Sequence, residues 1–274
     1  KDAAPRKIEL ATPVAPFKEY ADSLELPLTV HLRRDTKTFS QAKNYRGFAC
    51  FSDGLNPSRR KILMGAIDNY RQKGKAIKVF QLGGYVASNY HYHHGDMSLN
   101  GTITRMAQSF LGSNYLPLLA DFGQFGTRNN GGDDAGSSRY IGTHVNLQLV
   151  ECLFPSDDRY ILEYNFEDGE RSEPMEYPPI IPLALVEYQN TPGTGWKQVA
   201  YPRNLDQIFE NVERAIMDKA IKNMTNESYL FDGTFKVVEG IGEQIRAGVL
   251  RIQWCGAQIM QAGSSGTDKY DFSR

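Results

Sequence analysis

The sequence predicts an α+β fold, and three observations carry that prediction. Apolar residues recur at helical spacing in three consecutive stretches between Pro57 and Gly112, one buried face each time. The connections between these stretches are short. Further along, two-residue alternation takes over at ILEYNF (161–166), FKVV (235–238) and VLRIQW (249–254), the period of strands. Three closely joined helices followed by strands is the order of a winged helix, a helix-turn-helix variant.

Taken in order, residues 1–34 are cut into short pieces by Pro5, Pro13, Pro16 and Pro27. They read as a linker or the fringe of a neighbouring domain extending to residue 38, with LPLTVHL (26–32) as one strand. The first strong helix opens with Asn56 as N-cap and Pro57 as first residue, and buries Ile62, Leu63, Ala66, Ile67 and Tyr70. Arg59, Arg60 and Lys61 fall in its first turns, where each cation opposes the helix dipole by about 0.3–1 kcal/mol. A docked polyanion would reverse that cost, and solvent would screen it. A second helix is predicted over Lys78–Asn89. A third is capped by Asp96, buries Leu99, Ile103, Met106, Ala107 and Phe110, and ends near Gly112.

A glycine-rich loop follows within DFGQFGTRNNGGDDAGSSRYIGTHV (121–145). Ser137 and Ser138 are good N-caps, and Ile141, Val145 and Leu149 at spacing four predict a helix ending near Phe154. Arg139 and Tyr140 then sit in its first turn, where free N–H groups and the positive dipole end favour an anion. IIPLALVEY (180–188) reads as a strand paired with ILEYNF around the EDGE turn (167–170). QNTPGTGW (189–196) places Pro192-Gly193 at a turn tip. NLDQIFENVERAIMD (204–218) is an amphipathic helix through Ile208, Val212 and Ile216. A domain boundary is expected near 175–180.

Composition narrows the class. With 41% apolar and 23% charged residues among 274, the chain is an ordinary globular protein with room for a large core. No run of about 18 apolar residues offers a membrane span, and the N-terminus lacks a secretory apolar region. Three widely spaced cysteines, Cys50, Cys152 and Cys255, fit a reducing compartment. The net charge is −1, yet Lys43–Lys78 holds nine basic residues against Asp53 and Asp68. A local basic stripe suits a phosphate backbone; it also suits a solvated face. His91, His93 and His94 lack the partners of a zinc site, and Asp133-Asp134 and Asp157-Asp158 read as turn or cap residues. No metal site is expected. No GxxxxGK[ST] run marks an ATP site.

Four stretches then resemble one family: YHHGDMSLNGTITRMAQSFLGSN (92–114), FGQFGTRNNGGDDAGSSRYI (122–141), EPMEYPPIIPLAL (173–185) and GTGW (193–196). Together they resemble the DNA breakage–reunion core of type IIA DNA topoisomerases. YHHGD without an inserted proline favours the eukaryotic and large-DNA-virus type, and the divergence suggests a viral member. The resemblance implies a winged-helix domain over 39–177 and part of an α/β tower domain over 178–274.

It further implies that Tyr140 is the nucleophile, joined to a 5′ phosphate, with Arg139 and Arg46 steadying charge and His94 near the scissile group. Arg59, Arg60, Lys61, Lys78, His93, Arg128, Ser137, Ser138 and Pro192 are the implied DNA contacts. Two positions depart from the family: Pro192 stands where an isoleucine wedge is usual, and Asp133 where a lysine follows the paired glycines. Double-stranded DNA and a second copy of the chain are the implied partners. Mg2+ and ATP are implied for the full-length enzyme, both bound by domains outside this chain, which alone would cleave poorly. The implied location is intracellular, the host cytoplasm for a viral protein and the nucleus for a cellular one. A non-catalytic winged-helix DNA-binding module is the alternative, and a His-cluster metal nuclease a third.

Overall fold

A computed structural model describes residues 4–14, 26–110 and 112–224, and the backbone of three later strands. The chain runs through α1 (Ala4–Ala11), α2 (Leu28–His31), α3 (Lys37–Gly47), α4 (Pro57–Lys73), β1 (Ile77–Lys78), α5 (Val79–Asn89) and α6 (Asp96–Ala107). Next come β2 (Leu119–Phe122), β3 (Gly142–Val145), α7 (Leu147–Leu153), β4 (Tyr164–Glu167), β5 (Glu170–Pro174) and α8 (Leu183–Val186). The remainder is β6 (Gln189–Pro192), β7 (Lys197–Ala200), α9 (Leu205–Ile216), β8 (Arg251–Cys255), β9 (Gln258–Ala262) and β10 (Lys269–Asp271). Helices and sheets are mixed, as the sequence predicts.

α4 forms where its signals place it. The Asn56 side chain accepts the Arg59 N–H at 2.9 Å, satisfying one of the orphan donors of the first turn. Gly74, in the left-handed region at φ 62°, ends the helix by donating to the Tyr70 carbonyl. Ile62, Leu63, Ala66 and Ile67 are buried, the larger three contributing roughly 1.5–3 kcal/mol each. α5 packs so closely on α4 that a Cβ at Gly65 would lie 2.7 Å from Val86. α6 buries Leu99, Ile103, Met106 and Ala107 beside them. Asp96 is its first residue and Gly95 its cap.

Beside the three helices lies a sheet of order β1-β3-β2, antiparallel throughout, with Ile77 opposite Thr143 and Phe122 opposite Gly142. One core joins these elements to Tyr177, Ile181, Leu183, Val186 and Ile208. β8, β9 and β10 form a separate antiparallel meander. VLRIQW supplies β8 from Arg251 onward, while FKVV lies outside the described residues.

Three local expectations are corrected. Tyr140 does not open a helix: residues 138–140 are a turn, β3 follows, and the helix begins only at Leu147. Ile141 and Val145 are buried, but so is Thr143 between them. The operative period is therefore two, and Thr143 is held by donating to the Ala120 carbonyl at 2.7 Å. LPLTVHL is helical, not extended. The Val30 and His31 N–H groups return to the Pro27 carbonyl, and His31 pairs with Asp35 one turn on at 3.0 Å. IIPLALVEY bends into α8, since Pro182 lacks a ladder donor and Leu183 and Val186 turn inward together. The strand that pairs with β4 is β5, reached through Asp168 (φ 51°) and Gly169 (φ 83°), the left-handed pair a two-residue hairpin demands.

Candidate active site around Tyr140

The turn bearing Tyr140 is fixed from its backbone. Tyr140 N–H donates to the Ser137 carbonyl at 2.8 Å. The Phe80 N–H donates to the Ser138 carbonyl and the Val79 N–H to the Ile141 carbonyl, each at 3.1 Å. Lys78 Nζ donates to the Tyr140 carbonyl at 2.7 Å. The Tyr140 residue itself is 78% exposed, with Arg139 and Ser137 exposed beside it and Ser138 half-buried. Because no helix starts here, the phenol gains nothing from a dipole of its own helix, contrary to the sequence expectation.

The preceding loop is held by side chains that sequence reasoning missed. Buried Gln108 donates to the Phe125 carbonyl at 2.9 Å and the Gly132 carbonyl at 3.1 Å. A Cβ at Gly126 would meet Gly132 backbone at 2.6 Å, so two glycines let the strands of the loop touch. Asp134 accepts the Thr127 N–H at 2.7 Å and its hydroxyl at 2.8 Å. These bonds hold its carboxyl below the usual range, the local turn role expected of that acidic pair. Arg128 is half-buried on the 3-10 turn Arg128–Asn130 inside this loop.

A second group gathers at the end of α3. Arg46 Nη1 lies 3.0 Å from His94 Nε2. A guanidinium offers only donors, so His94 Nε2 is the acceptor of this contact. Tyr92 meets the His94 ring edge-on at 5.4 Å. His93 Nε2 stands 3.6 Å from Glu167, and His91 Nε2 3.6 Å from Glu170, across the β4–β5 turn. Among the described residues no hydrogen bond or ion pair joins the Arg46–His94 pair to Tyr140.

Two expected DNA contacts, Arg60 and Lys61, are held inward. Arg60 is 2% exposed and donates from Nε to Asp53, itself fully buried, at 2.7 Å. Asp53 also accepts the N–H groups of Leu55 and Tyr177, each at 2.9 Å. Arg60 shares the inward face of Leu63 and Ile67, three and seven residues on, which is the signal that it turns inward. Lys61 Nζ is held by the Tyr90 carbonyl at 2.6 Å, Glu173 at 2.8 Å and Ser172 Oγ at 2.9 Å. Arg59 lies in the field of buried Glu187 and of Asp53; burial draws its guanidinium down from the ordinary value against their pull. Arg60 and Lys61 are thus paired with internal carboxylates.

Pro192 ends β6 opposite Lys197, exposed at the hairpin tip. Asn44, on α3 two residues before Arg46, clasps the next turn: it accepts the Thr194 N–H at 2.7 Å and donates to the Thr194 carbonyl at 3.0 Å. Gln198 makes the same double contact with Ala49, at 2.8 and 2.9 Å. α3 thus carries both Arg46 and the anchor of this hairpin.

The sequence model of the DNA gyrase/topoisomerase IV A subunit matches residues 46–249, a span that contains Arg46, His94, Tyr140 and Pro192. The chain belongs to this DNA gyrase/topoisomerase IV family. Relatives of this family member include DNA topoisomerase 2 of African swine fever virus (isolate Tick/Malawi/Lil 20-1/1983), 42% identical over 221 residues, 78% of this chain and 18% of the relative. DNA topoisomerase 2 top-2 of Caenorhabditis elegans is 40% identical over 185 residues, 68% of this chain and 12% of the relative. The crystal structure of the Plasmodium falciparum topoisomerase II DNA-binding, cleavage and re-ligation domain superposes with a TM-score of 0.74 at 33% identity. That match covers 88% of this chain and 32% of the other. The chain therefore spans less than a fifth of the length of these curated relatives, whose names agree with the eukaryotic and viral type read from YHHGD.

Type II topoisomerases generally use Mg2+ and ATP. Among the described residues no group of three or more His, Cys, Asp or Glu side chains could hold a metal ion, and the sequence has no Walker run. Nor is any helix among them long and apolar enough to cross a membrane.

Proposed function

We propose that this chain is the DNA-binding and cleaving core of a type II DNA topoisomerase, with Tyr140 as its nucleophile. The phenol oxygen bonds to a backbone phosphorus while the bond from phosphorus to the 3′ oxygen breaks. The phenol proton is lost to a base, and the 3′ oxygen leaves with the bonding pair and takes up a proton to become a hydroxyl. A phenolate is a tolerable leaving group, so the 5′-phosphotyrosine keeps the bond energy and the same hydroxyl reseals the strand. Two copies of the chain, each cutting one strand, would open a duplex for passage of another.

The observation that carries this reading is the combination at residue 140. Its backbone is tied down on the carbonyl side while its side chain stands in solvent, free to meet a polyanion. Arg139 and Arg46 are the cations for the phosphoryl oxygens, and His94 stands near the scissile group. His93, Arg128, Ser137, Ser138 and Pro192 complete the DNA surface, with Pro192 as a rigid wedge between base pairs. The α4–α6 trio with the β1-β3-β2 sheet supports a winged-helix unit over 39–177; residues 178–274 begin the tower. Mg2+ and ATP are supplied by other domains of the full-length protein, which works inside the cell, in host cytoplasm if viral and the nucleus if cellular.

The test is Tyr140→Phe in the full-length protein, with cleavage trapped by denaturant. DNA binding stays, and protein attached to 5′ ends disappears. Adducts that persist would remove Tyr140 from the role.

A further inference from the structure

We propose that Lys78 positions Tyr140 rather than gripping DNA, an inference that rests on the reading of Tyr140 as nucleophile. Residues 78–80 claim three carbonyls of the turn, those of residues 138, 140 and 141. Lys78 Nζ takes that of Tyr140 at 2.7 Å, Phe80 N–H that of Ser138, and Val79 N–H that of Ile141. The backbone of Ile77–Lys78 is paired with Thr143 and Gly142 just beyond. Two consequences follow.

First, the first two N–H groups of α5, those of Val79 and Phe80, which on a free helix end would suit a phosphate, are already satisfied by protein carbonyls. The start of α5 is an anchor for the turn, and an incoming phosphate finds other donors. Second, a peptide plane fixed at its oxygen fixes the adjoining Cα, and with it the direction in which the Tyr140 side chain leaves the turn. The positive end of α5 and the Lys78 ammonium lie behind that turn, so the field absent from Tyr140's own helix arrives from its neighbour. Lys78 differs from its two companions because it acts through a side chain, so it can be changed without touching the ladder.

The experiment compares Lys78→Met and Lys78→Arg with the parent full-length protein, reading adduct formation at saturating duplex, DNA affinity against salt, and thermal midpoint. Misplacing a nucleophile by about 1 Å costs on the order of a hundredfold. Lys78→Met is expected to slow adduct formation toward that figure, with salt slope and midpoint unchanged. Lys78→Arg, which keeps a donor, is expected to restore most of the rate. A Lys78→Met protein that forms adducts at the parent rate but loses about 0.9 in salt slope would make Lys78 a phosphate contact and end the proposal. A lowered midpoint that Lys78→Arg does not rescue would end it too, by making the role merely structural. Tyr140→Phe in parallel separates failures: adducts surviving there overturn the assignment of the nucleophile, not the strap.

Discussion

The cations at the start of α4 and those around the Tyr140 turn look alike in sequence and are opposites in the fold. Arg60 and Lys61 are neutralised from within, by Asp53 and by Glu173 with Ser172. Arg139 is exposed, and Lys78 is bound to a neutral carbonyl. The first group ties α4 to the chain around residues 172–177; in the second, Lys78 ties down the Tyr140 turn and Arg139 stands where a polyanion can reach it. A basic stripe in a sequence is thus a sum over two populations, and only burial and partner separate them.

The contrast breaks most visibly at Arg60. Removing one partner of a buried pair leaves the other charge uncompensated, at a cost of about 3–5 kcal/mol. Arg60→Ala is expected to lose about that much in urea unfolding, while Tyr140→Phe, at an exposed site, stays within about 0.5 kcal/mol. The activities reverse the ranking, since Tyr140→Phe alone eliminates the covalent adduct with the fold intact. An Arg60→Ala protein as stable as the parent would show that Asp53 is held well enough by the Leu55 and Tyr177 N–H groups.

Lys61 sharpens the same contrast through pH. Burial pushes the Glu173 carboxyl up, but the hydrogen bonds from Lys61 and Ser172 outweigh it and hold Glu173 below the ordinary value. A depressed carboxylate stabilises the fold above its unfolded value, and that contribution is lost as pH falls through the folded one. Lys61→Met removes the main cause and leaves a buried carboxylate, whose value then rises. The variant is expected to be destabilised by about 2–3 kcal/mol at neutral pH, with the deficit shrinking as pH falls through the variant's raised Glu173 value and on toward the parent's depressed one. Urea midpoints at several pH values test this; a deficit independent of pH would mean that poorer packing, not the ion pair, is responsible.

How much was legible in the sequence depends on how local the cause is. α4, with Asn56, Pro57 and Gly74, and α9, with Asn204 as cap, are written in adjacent residues. The turn at Tyr140 is not. Ile141, Val145 and Leu149 satisfy a helical period, and only Thr143, buried because β1 and β2 flank it on both sides, shows the period to be two. LPLTVHL fails for the converse reason, as no strand among the described residues lies beside it to complete a ladder. The resemblance placed Tyr140, Arg46 and His94 by motif, and the structure joins the last two. It could not reveal that Arg60 faces Asp53 or that Asn44 clasps Thr194, contacts decided by packing.

The smallest effect concerns the exposed end of the stripe. Lys73 and Lys75 flank Gly74 in solvent, and among the described residues neither makes an ion pair. Neither has an internal carboxylate to lose, so Lys75→Met is expected to change stability by no more than about 0.5 kcal/mol. If its charge serves DNA, the change surfaces only as counterion release: the slope of log affinity against log salt falls by about 0.9 when one phosphate loses its cation. Arg60→Lys, by contrast, keeps the charge but not the fork that meets Asp53, so it costs stability and leaves the slope alone. A salt slope that moved with Arg60 and not with Lys75 would invert the assignment of the two populations.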